Sequence, residues 1–284
     1  LSRFFKAEIV SNLSLNSKTN LLTIKPLDKI LSPHPGQFYM IKVSNSKDPL
    51  LSRPFSFFRN SHEGIQFLFE IRGKGTLIMK GFEIGEIIHL LGPLGNGYPA
   101  LKNNKTPLLI AGGIGIASIY SLAEEFGKKS ILFYGVRNKE SLLMVDELKG
   151  LVKELIISTD DGSAGKRGTV VDVFRDFLAQ MQAGLHGADS GYIIYGCGPK
   201  PMLKAISEIA LERKIEGYVS VEENMACGVG ACLGCAVKAK SKELRAKSMK
   251  TKNINSELLT PNSELIYKMV CKDGPVFSLK EIVW

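Results

Sequence analysis

Four cysteines carry the clearest chemistry in this sequence. Cys227, Cys232 and Cys235 follow the spacing C-x4-C-x2-C, and thirty-five residues separate Cys235 from Cys271. This is the ligand pattern of plant-type [2Fe–2S] clusters, in which four thiolates hold two irons. The loop reads CGVGACLGC. Its glycines permit positive φ and let backbone N–H groups approach cluster sulfurs, where hydrogen bonds tune the potential. A structural zinc site also takes four cysteines, but usually as two C-x2-C pairs. On spacing alone the fourth ligand is Cys271 or Cys197, and Cys197 sits in a different motif.

Two further motifs suit a flavin dinucleotide. In Arg53-Pro54-Phe55-Ser56, the guanidinium fork can bind a pyrophosphate and the hydroxyl can reach the edge of an isoalloxazine ring. RGKGT at 72–76 is a glycine-rich turn that offers backbone N–H groups to phosphate as a helix begins. Each alone could be plain strand or turn. A second group of motifs suits a nicotinamide dinucleotide. AGGIG at 111–115 lies between a buried strand and a helix, where a pyrophosphate would sit, although Ser118 replaces the last glycine of G-x-G-x-x-G. In YGCGPKPM at 195–202, Cys197 lies between two glycines, so a small polarizable side chain can approach a flat ring; a buried cysteine in a glycine turn is the plainer reading. TDDGS at 159–163 brings carboxylates, Asp160 foremost, to a position where they would repel a 2′-phosphate and favour NAD over NADP.

These motifs need elements to hold them. Residues 1–103 read as β-rich. Short apolar runs at 21–24, 38–43, 65–71 and 87–91 are divided by Pro and Gly breaks, the pattern of a small antiparallel barrel. Residues 104–216 alternate strand and helix: strands at 108–111, 131–134, 155–158 and 192–195, with helices to about 126, near 141–149, at 170–181 and from 199 to 213. Such alternation predicts parallel βαβ units. A fifth strand is expected at 218–221, and residues 217–284 form a small cluster module. The expected fold is therefore β plus α/β: an antiparallel FAD-binding barrel, a Rossmann-like parallel domain that binds NAD, and a C-terminal [2Fe–2S] module.

The chain has 284 residues, 44% of them hydrophobic and 23% charged, which excludes global disorder and allows a full core without disulfides. The longest apolar stretch, 107–123, is broken by glycines and reads as strand, turn and helix rather than a membrane span. Charges among the first ten residues argue against a secretory leader. A cysteine cluster without a disulfide framework fits a cytoplasmic protein. The net charge is +9, of which residues 238–252 supply +6 with no aromatic side chain for base stacking. That segment reads as a solvated basic insertion near 238–262. Neither a nucleic-acid nor a membrane partner is expected.

The series RPFS, GKGT, GPLGNGY, AGGIG, YGVR, TDDGS, YGCGPKPM and EENMACGVGACLGC resembles the ferredoxin-reductase-like flavoproteins. The likeness is strongest to the electron-transfer subunits of the NAD-dependent (class 1B) dihydroorotate dehydrogenases, and it runs from about residue 5 to Trp284. The closing CKDGPVF at 271–277 also matches and implies Cys271 as the fourth cluster ligand. The resemblance implies that Arg53, Pro54, Phe55 and Ser56 hold FAD with Leu68, Phe69, Glu70, Gly75 and Thr76. Gly112, Gly113, Gly115, Gly196, Cys197, Gly198 and Pro199 would form the NAD site, with Cys197 and Ser56 as ring contacts. It also implies an FMN-containing catalytic partner in a two-plus-two heterotetramer. Electrons from dihydroorotate would pass through [2Fe–2S] and FAD to NAD+ in pyrimidine (UMP) biosynthesis, with no acid–base catalyst required in this chain. A reductase subunit of another NAD(P)H-linked ferredoxin, sulfide, hydrogenase or oxygenase system is the alternative within the same class. A zinc-stabilised binding module is the alternative outside it. Two features depart from the family pattern: the gap before Cys271 is usually much shorter, and Ala164 stands where an aromatic residue is usual.

Overall fold

The computed structural model of the protein describes residues 3–44, 46–101, 105–184, 191–241 and 265–284. Strands β1 (Arg3–Ser14), β2 (Thr19–Pro26), β3 (Phe38–Lys42), β4 (Arg53–Ser56), β5 (Arg59–Asn60), β6 (Ile65–Glu70) and β7 (Ile87–Leu94) form one antiparallel sheet, with helix α1 (Lys74–Lys80) between β6 and β7. The strand order is β4-β3-β7-β1-β2-β6-β5. The sheet curls until Phe55 of β4 and Phe69 of β6 meet edge to face, centroids 5.8 Å apart. Inside the curl, Tyr39 packs edge-on against both Phe5 and Phe67. Strand β6 explains its own mixed pattern. Ile65, Phe67 and Phe69 enter the barrel core, while Leu68 turns outward into the core of the neighbouring domain. β1 is the strand that apolar runs alone did not reveal. Its Phe5, Ala7 and Ile9 are buried while Lys6 is exposed, so charges alternate with the core residues.

The second sheet contains β8 (Thr106–Gly112), β9 (Ile131–Val136), β10 (Glu154–Thr159), β11 (Lys166–Arg167), β12 (Tyr192–Cys197) and β13 (Glu216–Ser220). Helices α2 (Ile116–Phe126), α3 (Val145–Leu151), α4 (Val170–Gly184) and α5 (Lys200–Glu212) cross between the strands. The order is β11-β10-β9-β8-β12-β13, all parallel, and β16 (Val276–Ser278) adds antiparallel to β13. The order reverses between β8 and β12, so a topological switch point opens at their carboxyl ends. α2 ends at Gly127, whose φ of +53° lies in the region that favours glycine. α3 starts later than its sequence suggested, because Asn138 accepts a hydrogen bond from the Ser141 N–H and holds a short 3-10 turn ahead of it.

The tail makes a hairpin of β14 (Ala236–Lys240) and β15 (Leu265–Met269), then the one-turn helix α6 (Val270–Asp273) and β16. The expected boundary at 216/217 falls inside β13, and β16 returns from the tail to the same sheet. The cluster segment is therefore threaded between two strands of the α/β sheet rather than hung from its end. The expected boundary at 103/104, and the basic insertion beyond residue 241, lie outside the described residues. No described helix is long and apolar enough to cross a membrane.

Candidate functional site

The barrel and the α/β sheet face each other across a cavity of ≈ 570 Å³. Its barrel wall is Phe38, Arg53, Pro54, Phe55, Ser56, Leu68, Phe69, Glu70, Arg72 and Thr76. The opposite wall is Ile114, Ala117, Ser118, Lys200 and the segment from Ser220 to Met225, with Pro275. Eight of the nine residues expected at FAD line this cavity. The ninth, Gly75, lies beneath Arg53: a Cβ there would stand 3.0 Å from the guanidinium Nε, so glycine lets that side chain lie flat against the start of α1. Thr76 folds the turn before α1. Its hydroxyl accepts from the N–H groups of Arg72 (2.9 Å) and Gly73 (3.2 Å). A Cβ on Gly73 would meet nothing within 4 Å, so space is open at this turn. A cation, a free glycine turn, an aromatic wall and the Ser56 hydroxyl fit the phosphates and ring of a flavin dinucleotide.

The glycines of the second sheet divide into two kinds. Added Cβ atoms on Gly112, Gly115 and Gly198 would lie 2.4 Å from Met202 Sδ, 2.3 Å from the Cys197 carbonyl oxygen and 2.5 Å from Met202 Cε. These three allow the loops after β8 and β12 to pack on each other. Gly113 has φ +56° and nothing within 4 Å of its added Cβ, so its backbone faces open space at the switch point. Gly196 closes β12 against Val219, and Pro199 precedes α5. Together the loops present a bare backbone cradle, which fits a dinucleotide pyrophosphate.

Cys197 is placed differently from the expected ring contact. It is 1% exposed and does not line the cavity; Ser118 and Ser220 stand at its cavity side. Burial raises its thiol pKa far above the ordinary value, with the charge of Glu222 adding to the shift. Direct ring contact would require the thiol to turn out of this packing. In TDDGS the two carboxylates separate by role. Asp161 accepts from the Ser163 hydroxyl at 2.6 Å and its N–H at 2.9 Å, which lowers its pKa and holds the loop. Asp160 is exposed at the end of β10. Ala164 is fixed through its backbone, which exchanges hydrogen bonds with the Thr159 hydroxyl.

Sequence reasoning assigned no side-chain role to Ser118, Lys200, Phe38, Arg72 or the stretch from Ser220 to Met225. Glu222 and Met225 stood inside a quoted motif, but only the fold shows that they face the barrel. Glu222 lies exposed at the rim of the cavity, with protein packed on one side of it. That desolvation raises its pKa, Arg72 opposes the rise and Glu70 adds to it. Lys200 pairs with Glu223 at 2.5 Å across the same rim.

Two residues beyond Met225, Cys227 opens the cysteine loop. Its thiol accepts from the N–H groups of Val229 (3.5 Å) and Cys232 (3.4 Å). The Val229 bond leads in lowering the thiol pKa to about 6. Gly230 donates to Cys271 Sγ at 3.1 Å, and Cys271 donates to Cys235 Sγ at 3.4 Å. Burial, with the neighbouring Cys235, pushes the Cys271 thiol up to about 12. The thiols thus fall into two neighbouring pairs, Cys227 with Cys232 and Cys235 with Cys271. Among the described residues no three His, Cys, Asp or Glu side chains converge as the ligands of one ion. Two thiol pairs with backbone N–H groups aimed at sulfur fit a two-iron cluster. The long gap before Cys271 is bridged by the hairpin: Ala236 pairs with Met269, which brings Cys235 and Cys271 together whatever length lies between.

Several contacts lock these parts together. Arg59 of β5 donates to Tyr120 (2.9 Å) and Glu147 (2.8 Å) of the α/β domain and to Gln66 (2.7 Å) of the barrel. Tyr98 donates to the Gly196 carbonyl at 3.0 Å. Gly228, at φ +73°, rests on Met40 and Leu94 of the barrel.

A flavin-sized cavity between an antiparallel half-barrel and a parallel α/β sheet defines a ferredoxin-reductase-like fold, and solved structures agree. A chain of the NADH-dependent reduced ferredoxin-NADP oxidoreductase superposes with TM-score 0.72 at 26% identity, covering 98% of this chain and 90% of that one. The ferredoxin reductase of carbazole 1,9a-dioxygenase gives TM-score 0.60 at 21% identity, covering 75% and 67%. Residues 109–208 match the family model of the oxidoreductase NAD-binding domain, and residues 222–250 match that of the iron-sulfur cluster binding domain of dihydroorotate dehydrogenase B. The "Dihydroorotate dehydrogenase B (NAD(+)), electron transfer subunit" of Caldanaerobacter subterraneus subsp. tengcongensis is 34% identical over 98% of both chains. The Aquifex aeolicus homolog of that subunit is 33% identical over 98% of this chain and 97% of its own. The chain belongs to the family of electron transfer subunits of dihydroorotate dehydrogenase B.

Proposed function

We propose that this chain is the electron-transfer subunit of an NAD-linked dihydroorotate dehydrogenase, connecting an FMN-containing catalytic partner to NAD+ in de novo pyrimidine (UMP) biosynthesis. It works in the cytoplasm, in a two-plus-two heterotetramer with that partner. The observation that carries this reading is the continuity of one segment: residues from Ser220 to Met225 line the cavity and Cys227 opens the thiol loop. Two residues span at most about 7 Å of chain, so the two sites are covalent neighbours.

When bound, FAD would supply two-electron exchange with NAD, and one [2Fe–2S] cluster would supply single-electron exchange toward the partner. The chain's own residues bind and orient. Arg53 is assigned to the FAD pyrophosphate, with Gly75 and Thr76 shaping the turn beneath it. Pro54, Phe55, Ser56, Leu68, Phe69 and Glu70 form the wall for its ring. Gly113 leaves room for the NAD pyrophosphate, Gly112, Gly115, Gly196, Gly198 and Pro199 set the two loops, and Asp160 faces the adenosine ribose. Cys227, Cys232, Cys235 and Cys271 hold the cluster. The division into a barrel, a nucleotide domain and a cluster module is retained as a functional one, with the module inserted ahead of β16.

The test is the visible spectrum of the chain copurified with its FMN-containing partner, before and after anaerobic NADH. Flavin bands with an iron–sulfur shoulder that bleach with NADH and return with orotate are expected. Bleaching indifferent to orotate would favour the ferredoxin-linked reading, toward which the 26% identical NADH-dependent ferredoxin-NADP oxidoreductase points. A colourless sample containing zinc would contradict both.

A further inference from the structure

Among the polar groups buried near the cavity, the Ser118 hydroxyl stands out. The residue is 1% exposed, yet it lines the cavity and its Oγ has no hydrogen-bond partner among the described residues. Buried hydroxyls are normally paired, so an orphan at a cavity wall marks a place where a ligand completes the set. Ser118 lies in the first turn of α2, directly after the dinucleotide loop. Its surroundings are constructed rather than incidental. Ser220, the last residue of β13, is 3% exposed and lines the same wall. Cys197 is its register partner on β12, and the Cys197 thiol faces both serine hydroxyls. Beside them Ile114 and Ala117 supply an apolar surface. Three elements that meet at the switch point therefore bring one unpartnered donor–acceptor group to the edge of a flat apolar wall.

We propose that Ser118 docks the carboxamide of the nicotinamide ring, with Ser220 and Cys197 packed beside its hydroxyl. A hydroxyl is both donor and acceptor, and a carboxamide presents an acceptor oxygen and a donor amine on one planar group. The ring of the same ligand lies along Ile114 and Ala117, and its pyrophosphate reaches the open backbone at Gly113. The assignment rests on the reading of this cavity as the meeting place of flavin and nicotinamide. It gives the serine at the last position of the G-x-G-x-x-G frame a role that glycine there could not fill.

The experiment is titration of NAD+ and of ADP-ribose, which lacks the nicotinamide, into the complex of wild type and of Ser118→Ala. The variant should bind NAD+ about five- to tenfold more weakly, the loss of about one hydrogen bond, and ADP-ribose with unchanged affinity. Its Tm should fall little, because the hydroxyl it removes makes no full hydrogen bond within the protein. With 3-acetylpyridine adenine dinucleotide, which lacks the amine, wild type should lose affinity and the variant should lose less. Equal losses for NAD+ and ADP-ribose, or no loss for either, would overturn the proposal. A wild-type complex whose flavin NADH does not reduce would instead overturn the reading beneath it.

Discussion

The cysteine loop and the cavity are neighbours in space and opposites in construction. The loop is nine residues of backbone, CGVGACLGC, whose N–H groups reach sulfur and whose glycines clear the barrel and Lys272. The cavity is assembled from side chains between Phe38 and Pro275, carried by two sheets and held in place by contacts such as the Arg59 cluster. A site made of local backbone survives changes elsewhere. A site made of distant walls depends on whatever fixes the walls. Substitutions should therefore separate the two, each losing one group while keeping the other.

The largest effect is expected on the cavity side. Arg53→Ala removes the one guanidinium assigned to the FAD pyrophosphate, and a hydrogen bond to a charged group contributes about 1.5–3 kcal/mol. FAD should bind roughly ten- to hundredfold more weakly, measured by flavin release on dilution, with iron content unchanged. Gly228→Val is the converse. Its Cβ would lie 2.6 Å from Met40 Cγ on a backbone at φ +73°, a combination of strain and overpacking of about 2 kcal/mol or more. Iron and acid-labile sulfide should fall while FAD is retained. If either variant loses both groups equally, the two sites are one cooperative unit and the contrast is wrong.

Arg59→Ala tests what holds the walls. Arg59 stacks on the buried rings of Phe58 and Tyr120 and binds Glu147, but that carboxylate is half-exposed, so the loss is expected near 1 kcal/mol. NAD affinity should weaken severalfold, FAD and iron should stay, and equal losses of all three would show that the arginine holds the fold as a whole. Thr169→Ala is the smallest change and should touch neither site. Thr169 and Asp172 hydrogen-bond each other's side chain and N–H at the start of α4, and loss of such a cap costs about 1 kcal/mol, a Tm shift of about 2–4 °C. The Thr169 hydroxyl lowers the Asp172 pKa. That stabilisation is complete above the unfolded value of about 3.9 and is lost as pH falls through the lower folded value. The wild-type advantage should therefore be full at pH 7 and shrink below pH of about 4, as followed by thermal melts across that range.

The same contrast explains what the sequence revealed. The cysteine motif was legible because its spacing lies in adjacent residues, and the β14–β15 register brings Cys271 beside Cys235 across the long gap. RPFS and the glycine loops were legible as motifs, yet not as walls of one cavity. Glu222 and Ser118 face the barrel only because β13 ends and α2 begins beside it, a fact held in strand order rather than in local pattern. β1 escaped notice because Lys6 and Glu8 interrupt its buried Phe5, Ala7 and Ile9. Cys197 between its glycines was read as able to approach a ring or as plainly buried; in the fold it is 1% exposed beside Ser220 and does not line the cavity. The return of β16 to β13 was hidden for the same reason, since nothing local in residues 276–278 announces that they rejoin the α/β sheet.

The central claim is that the cavity and the thiol loop form one electron path to the partner, and Cys227→Ser in the purified complex tests it most directly. After anaerobic NADH, the flavin of this chain should bleach as in wild type, while orotate reduction in the partner should fall at least about a hundredfold. Orotate reduced at the wild-type rate by that variant would contradict the path.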